Sequence, residues 1–211
     1  MITNIKLKKG NKMYKNLIIS ELNSAEKLIK KFKINKNNIK IIQKIAILIA
    51  NAFKKNKKII SCGNGGSYCD AMHFSEELTG IYRKYRSPYP ALTITDGGHI
   101  TCTGNDLGYD KIFSRYIEAI GKNDDILLCI STSGKSENII KAIKMANSKG
   151  MKTIALTGKN NGIISKISNI EIQVPYKKYS DRIQEIHIKI IHIIILLIEK
   201  EMEKYNFIKN T

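Results

Sequence analysis

Five short apolar segments recur along the chain, and helix-like stretches lie between them. The segments are Lys58–Cys62, Ala91–Thr95, Asp125–Ile130, Met151–Thr157 and Ile170–Val174. Their apolar residues run on without the alternation of a half-exposed strand, which indicates strands covered on both faces. Strands that alternate with helices form βαβ units. The pattern therefore predicts an α/β fold with a five-stranded, parallel, doubly wound sheet.

Two helices precede this alternation and one long helix follows it. Apolar residues recur at helical spacing over Met13–Phe32 and Ile39–Phe53, which predicts a helical hairpin, and a long helix is predicted over Asp181–Lys204. We expect residues 1–12 to be a flexible tail. Residues 13–211 are then a single domain that includes the hairpin and the C-terminal helix.

The helices between the strands follow from the same spacing. They are predicted at Ser67–Thr79, Tyr109–Ile120 and Ser136–Lys149, with a helical turn at Ile163–Ile167. Asp96–Leu107 is polar and is predicted to be a loop.

The chain has 36 Lys and Arg against 18 Asp and Glu, a formal net charge of +18. Such a charge is typical of nucleic-acid-binding proteins. Only four of these residues are Arg, the side chain that reads phosphates and base edges bidentately. Because Lys, Ile and Asn share AT-rich codons, a biased genome can produce this composition without selection for binding. We therefore expect no nucleic-acid partner, with a genuine polyanion surface as the alternative.

The cysteines and the apolar runs bear on the compartment. The four Cys form no CxxC pair, and no signal peptide opens the chain, so disulfides are not expected. The longest unbroken apolar run near the C-terminus, Ile193–Ile198, is far shorter than the roughly 20 residues that span a bilayer. These features predict a cytoplasmic protein without a membrane partner.

Two loops follow predicted strands at the sheet edge where ligands of such folds bind. Loop 1, Ser61–Ser67 (SCGNGGS), has three glycines that let the backbone approach a ligand. Loop 2, Ser131–Ser136 (STSGKS), supplies hydroxyl groups. Each also precedes a helix N-terminus, which binds anions. The loops predict a phosphate-bearing ligand, and ordinary Gly/Ser turns are the alternative.

Three histidines are candidates for chemistry. His73 and Glu77 are four residues apart and share one helix face, which suits a divalent metal or an acid–base pair, with a surface pair as the alternative. His187 and His192 lie within the apolar C-terminal helix, where a buried core histidine is the alternative to a ligand.

Several motifs together resemble the phosphoheptose (sedoheptulose 7-phosphate) isomerases of the sugar isomerase (SIS) domain family. They are SCGNGGS (61–67), DAMHFSEELTG (70–80), GND (104–106), STSGKS (131–136), LTGK (156–159) and DRIQEIHIKIIH (181–192). The resemblance covers the chain from about Met13 onward and implies a SIS, flavodoxin-like fold. It also implies a cytoplasmic homotetramer that interconverts D-sedoheptulose 7-phosphate and D-glycero-D-manno-heptose 7-phosphate on the way to lipopolysaccharide heptoses.

The resemblance also implies roles for individual residues. The implied substrate contacts are Asn64, Gly65, Gly66, Glu77, Asn105, Asp106, Ser131, Thr132, Ser133, Ser136 and Gln184. The implied ligands of one zinc ion per subunit are His73, Glu77, Gln184 and His192. Glu77 and His192 match the residues of proton transfer, whereas His187 has no implied role. Isomerisation through an enediol needs such a base and acid, and a metal can stabilise the enediolate.

One spacing predicts how the site is assembled. Gln184 and His192 are eight residues apart, about 12 Å along a helix. One ion with bonds of about 2 Å cannot readily take both from one chain together with His73 and Glu77. We therefore expect the site to lie at a subunit interface, and the apolar stretch Ile183–Ile198 is interpreted as buried in the oligomer.

Two other functions remain open in this family. Some related SIS proteins bind the initiator of chromosome replication, and others sense a phosphosugar without turnover. The presence of His73, Glu77, Gln184 and His192 favours the enzyme. Tyr68 stands where some relatives have His, and no role is predicted for His99.

Overall fold

The structure is a computed structural model of the chain and describes residues 11–158 and 162–210. The helices are α1 (Asn11–Ile34), α2 (Lys36–Lys54), α3 (Gly66–Thr79), α4 (Gly97–Leu107), α5 (Ile112–Ile120), α6 (Glu137–Ser148), α7 (Ile163–Ile167) and α8 (Ser180–Asn210). The strands are β1 (Ile59–Gly63), β2 (Ala91–Thr93), β3 (Ile126–Ser131), β4 (Lys152–Gly158) and β5 (Ile170–Val174). A 3₁₀ turn, Tyr109–Lys111, precedes α5.

The five strands form one parallel sheet in the order β2-β1-β3-β4-β5, which confirms the predicted topology. Ile59 pairs with Ala91 on one side and with Ile126 on the other, so β1 lies between β2 and β3. Both β1 and β3 are buried along their whole length, which explains their unbroken apolar sequences. The direction of winding reverses between these two strands, and flavodoxin-like sheets bind ligands beside that point.

Helices cover both faces of the sheet, as the doubly wound prediction requires. On one face α1, α2, α3 and α8 pack on a core that includes Ile45, Phe74 and Ile190. On the other face α5, α6 and α7 enclose a core that includes Phe113 and Ile143. Loops 1 and 2 leave the sheet between these two layers.

The predicted loop Asp96–Leu107 was wrong, because this segment folds as α4. Asp96 caps the helix, since its carboxylate accepts a hydrogen bond of 2.7 Å from the backbone N–H of His99. The His99 ring in turn lies 2.8 Å from the Ile112 carbonyl oxygen and meets Tyr116 edge-on. The cap and the contact with α5 offset the low helix propensity of the glycines and threonines in this segment.

The apolar residues of α8 pack largely within the chain itself. Ile183, Ile190 and Ile194 are buried against the sheet and the neighbouring helices. The apolar pattern of α8 is therefore explained without a partner subunit. Exposed apolar side chains are concentrated on α1, where five are 56–66% exposed: Met13, Tyr14, Leu17, Ile18 and Leu22.

The ends of the chain differ modestly from the prediction. Residues 1–10 of the predicted tail lie outside the described residues, and α1 begins at Asn11, two residues earlier than expected. The last helix continues to Asn210. Within the part of the chain that the structure describes, no helix has the length and apolarity to cross a bilayer.

Candidate functional site

Loops 1 and 2 lie side by side at the carboxyl ends of β1 and β3. Asn64 of loop 1 and Asn138, in the first turn of α6 after loop 2, exchange two side-chain hydrogen bonds of 2.9 Å. The Tyr109 hydroxyl donates a further bond of 3.0 Å to Asn64 Oδ1. Asn64 therefore joins both loops at the point where the winding of the sheet reverses.

Loop 1 presents backbone groups at its surface. Gly65 has a φ of +56°, a left-handed conformation that favours glycine. At Gly66, the first residue of α3, a Cβ atom would lie 2.7 Å from the side-chain amide of Gln184. Gln184 Nε2 also lies 3.5 Å from Ser67 Oγ. The N-terminus of α3 and the Gln184 amide thus form one polar surface that can accept an anionic or hydroxylated ligand.

Loop 2 supplies hydroxyl groups to the same edge of the sheet. Ser131 Oγ lies 3.3 Å from Ser136 Oγ and accepts a hydrogen bond of 3.2 Å from the Gly134 backbone N–H. The Thr132 hydroxyl donates to the Ser180 hydroxyl at 3.2 Å. A cavity of about 350 Å³ opens between this loop and the segment that precedes α8. Hydroxyls beside the N-terminus of α6 suit the oxygens of a phosphate group.

His73, Glu77 and His192 converge between α3 and α8. His73 Nε2 lies 3.2 Å from Glu77 Oε1 and 3.0 Å from His192 Nε2. One ligand atom from each residue lies within 4.8 Å of the other two. A tetrahedral ion with bonds of about 2.0–2.2 Å holds its ligand atoms about 3.3 Å apart. The donor set therefore fits a zinc ion. We call these three residues, as candidate ligands of a single ion, the metal cluster.

The surroundings of His192 favour its neutral form. Burial, and then the neighbouring His73, lower the pKa of His192. A neutral imidazole is the form that binds a metal or accepts a proton. The Tyr82 hydroxyl donates to the His192 carbonyl oxygen at 3.2 Å, and the two rings stack with centroids 5.9 Å apart. The segment after α3 therefore covers one side of the metal cluster.

Asp70 lies one turn before His73 on α3. Its Oδ2 atom is buried and has no hydrogen-bond partner among the described residues. Burial raises the pKa of Asp70 to about 6, and His73 opposes this shift. The Asp70 carboxyl group, whose pKa is raised by burial, thus lies on α3 between loop 1 and the metal cluster.

Some predicted site residues lie apart from the cluster. Gln184 is at loop 1, about 12 Å along α8 from His192. Asn105 and Asp106 are exposed at the end of α4, where the Asn105 amide donates to the Asp106 carboxylate at 2.8 Å. His187 is buried against a carbonyl oxygen of β4, and burial lowers its pKa to about 4. His187 therefore fits the alternative given above, a buried core histidine and not a ligand.

Three residues at the site were not predicted from the sequence: Asp70, Tyr82 and Asn138. A signal existed for Asp70, because a residue three before His73 shares its helix face. Tyr82 and Asn138 contact residues 110 and 74 positions away. No local spacing reports such contacts, so these residues emerge only from the folded chain.

Comparison with known proteins places these features in a family. The chain matches the SIS domain family over residues 22–158. It is 62% identical to the phosphoheptose isomerase of Buchnera aphidicola subsp. Acyrthosiphon pisum (strain Tuc7), over 91% of this chain and 100% of that protein. It is 59% identical to the phosphoheptose isomerase of Yersinia enterocolitica, with the same coverage.

Two solved structures agree with the sequence comparison. A phosphoheptose isomerase from Francisella tularensis superposes with a TM-score of 0.81 at 36% identity, over 88% of this chain and 97% of that one. Its counterpart from Neisseria gonorrhoeae gives a TM-score of 0.83 at 32% identity, over 89% and 99% of the two chains. The chain therefore belongs to the phosphoheptose isomerases of the SIS domain family, which are sugar-phosphate isomerases.

Proposed function

We propose that the protein interconverts D-sedoheptulose 7-phosphate and D-glycero-D-manno-heptose 7-phosphate in the synthesis of lipopolysaccharide heptose precursors. The observation that carries this proposal is the convergence of His73 and Glu77, on the helix that starts at loop 1, with His192 of α8. His73 is seven residues beyond Gly66, about 10 Å along α3. That separation is comparable to an extended heptose with its phosphate at one end and its carbonyl at the other.

The phosphate and the sugar hydroxyls are bound near the two loops in this proposal. The N-termini of α3 and α6 offer backbone N–H groups, and loop 2 adds hydroxyls. The proposed contacts are Asn64, Gly65, Gly66, Asn105, Asp106, Ser131, Thr132, Ser133, Ser136 and Gln184, together with Glu77 at the carbonyl end. Asn105 and Asp106 are exposed in the single chain and would reach the sugar from the rim.

Proton transfer is assigned to Glu77 and His192. A base removes a proton from C1 of the ketose while an acid protonates the O2 oxygen, which gives a 1,2-enediol. Loss of the O1 proton and return of a proton to C2 then give the aldose, so no atom or electron is gained or lost. Glu77 is the group proposed to move the carbon-bound proton, and His192 the oxygen-bound one. Each such group contributes about 10²–10⁴ in rate.

A zinc ion, one per subunit, is the proposed cofactor. His73, Glu77 and His192 of one chain would hold it, and its charge would polarise the carbonyl group and stabilise the enediolate. Gln184 is the proposed fourth ligand. Because Gln184 of the same chain lies at loop 1, we assign this ligand to the α8 helix of a second subunit.

The proposed assembly is a cytoplasmic homotetramer with sites at its interfaces. The exposed apolar side chains of α1, from Met13 to Leu22, support self-association, since a patch of this kind favours burial. An apolar groove of about 370 Å³ between α2 and α8, lined in part by Ile39, Ile47 and Leu197, offers a matching surface.

Solvent-exchange NMR tests the proposed chemistry. The zinc-loaded protein is incubated with sedoheptulose 7-phosphate in D₂O, and deuterium is measured at C1 of the ketose and C2 of the aldose. We expect deuterium at both carbons, and its loss in Glu77→Gln. Glu76→Gln is the matched control, because Glu76 is the adjacent, exposed carboxylate on the same helix. Equal exchange rates in Glu77→Gln and Glu76→Gln would overturn the assignment.

A further inference from the structure

Arg86 reaches back from the segment after α3 and binds the end of that helix. Its Nη2 atom donates to the Glu77 carbonyl oxygen at 2.7 Å, and its Nη1 atom donates to the Leu78 carbonyl oxygen at 2.9 Å. The last carbonyls of a helix lack partners within the helix and attract a positive charge. Arg86 therefore holds the turn of α3 that carries Glu77.

The same guanidinium group also binds α8. Arg86 Nε donates to Glu199 Oε1 at 2.8 Å, and the two side chains are only 13% and 10% exposed. Glu199 lies seven residues after His192, two turns along the same face of α8. One buried side chain thus connects the helix of His73 and Glu77 to the helix of His192.

The Arg86 contacts extend to the segment that covers the metal cluster. Arg86 Nη1 lies 3.3 Å from the Gly80 carbonyl oxygen and 3.2 Å from that of Ser87, which brings the two ends of this segment together. Tyr82, which donates to the His192 carbonyl oxygen, lies between these ends. The guanidinium is also packed over the Tyr89 ring at 4.3 Å.

A buried ion pair gives little net stability, because desolvating both charges offsets their attraction. The planar guanidinium does provide five fixed donors, so it can set the distance between several acceptors at once. The contacts made by Arg86 are with the two helices of the metal cluster and with the segment that covers it. The affinity of a metal site depends on how the groups around its ligands orient them, so a residue that fixes the positions of the ligands affects metal binding.

We infer that Arg86, with Glu199 as its counter-ion, is a positioning residue that sets the separation of His73 and Glu77 from His192 and thereby the affinity for a divalent ion. This inference rests on the proposed function, because it takes the metal cluster as a metal site. Arg86 itself has no contact with the cluster's ligand atoms; it acts through the backbone of α3 and through α8.

Metal affinity tests this inference independently of turnover. Cobalt(II) binding is measured by competition with a chelator, and its visible absorption spectrum reports the ligand geometry. The variants are Arg86→Lys, which keeps the positive charge but loses the planar guanidinium group and its five donors, and Glu199→Gln, which removes the negative charge of the counter-ion. Arg115→Lys is the matched control, since Arg115 is exposed and pairs with the exposed Glu118 on α5, away from the cluster. Thermal unfolding identifies which variants fold.

We expect Arg86→Lys and Glu199→Gln to bind cobalt about 10–100-fold more weakly and to shift its spectrum, and Arg115→Lys to match the wild type. Wild-type affinity and spectrum in a folded Arg86→Lys or Glu199→Gln would overturn the inference and leave the metal site intact. If the wild type itself binds no cobalt, the proposed metal site is wrong and the inference is wrong with it. If Arg86→Lys does not fold, Glu199→Gln decides the matter.

Discussion

Replacing Asp70 by Asn should stabilise the metal-free protein at neutral pH and have little effect in acid. Burial raises the pKa of Asp70 from 3.8 to about 6, so the folded state disfavours its ionised form. Two pKa units correspond to about 3 kcal/mol at most. The carboxyl group is only partly buried, and solvent screening reduces this figure to about 1–2 kcal/mol.

The sign follows from proton linkage. The folded state binds the Asp70 proton more tightly than the unfolded state, so the contribution of Asp70 to stability is greatest below pH 4 and is lost as pH rises through about 6. Asp70→Asn removes this loss. The free energy of unfolding of the variant should therefore rise relative to that of the wild type by about 1–2 kcal/mol between pH 4 and pH 7.

Urea unfolding of the chelator-treated protein, at one fixed protein concentration, measures this difference in the free energy of unfolding. Glu76→Gln is the control, because Glu76 is an exposed carboxylate on the same helix. A difference between Asp70→Asn and wild type that is constant with pH, or a variant less stable at pH 7, would refute the reasoning. Zinc should shrink the effect, since a nearby cation favours the ionised carboxylate.

Three further predictions concern the site and its assembly. Gly66→Ala should leave the protein folded but raise KM at least several-fold, because the new methyl group displaces the flexible Gln184 amide. Circular dichroism checks the fold and steady-state kinetics measure KM, and an unchanged KM would contradict the prediction. Mixing inactive Glu77→Gln and Gln184→Ala subunits should restore activity at about one quarter of the sites if Gln184 acts across the interface, whereas no recovery after subunit exchange places all ligands in one chain. Zinc at 100 times its dissociation constant should raise the free energy of unfolding of the metal-free protein by about 2.7 kcal/mol. His73→Ala should abolish this gain, as measured by calorimetry.

The sheet was predictable because its sequence signal is local. Buried strands such as β3 are continuous apolar runs, and each is followed by a turn and a helix. The segment of α4 was not predictable in this way, because its helix depends on the Asp96 cap and on contact with α5. For α8, the apolar pattern indicates burial but not the surface that covers it, and in the fold α2, α3 and the sheet of the same chain cover most of it.

The site was predictable only in part, because some of its contacts are local in the sequence and others are long-range. His73 and Glu77 share a helix face at a spacing visible in the sequence. Their approach to His192, 119 residues beyond His73, follows from packing of α3 on α8. Arg86 lies in an irregular segment, and its partner Glu199 is 113 residues away. Such long-range contacts have no periodicity, so the supporting residues of the cluster could not be found from spacing.

The most direct test of the central claim is conversion of sedoheptulose 7-phosphate by the purified, zinc-loaded protein, followed by NMR as the heptose aldose forms. We predict turnover in the wild type and a loss of about 10²–10⁴ in rate in Glu77→Gln and in His192→Gln. No conversion by folded, zinc-loaded wild-type protein would contradict the proposed reaction. Near-wild-type turnover in Glu77→Gln would contradict the role of the metal cluster in it.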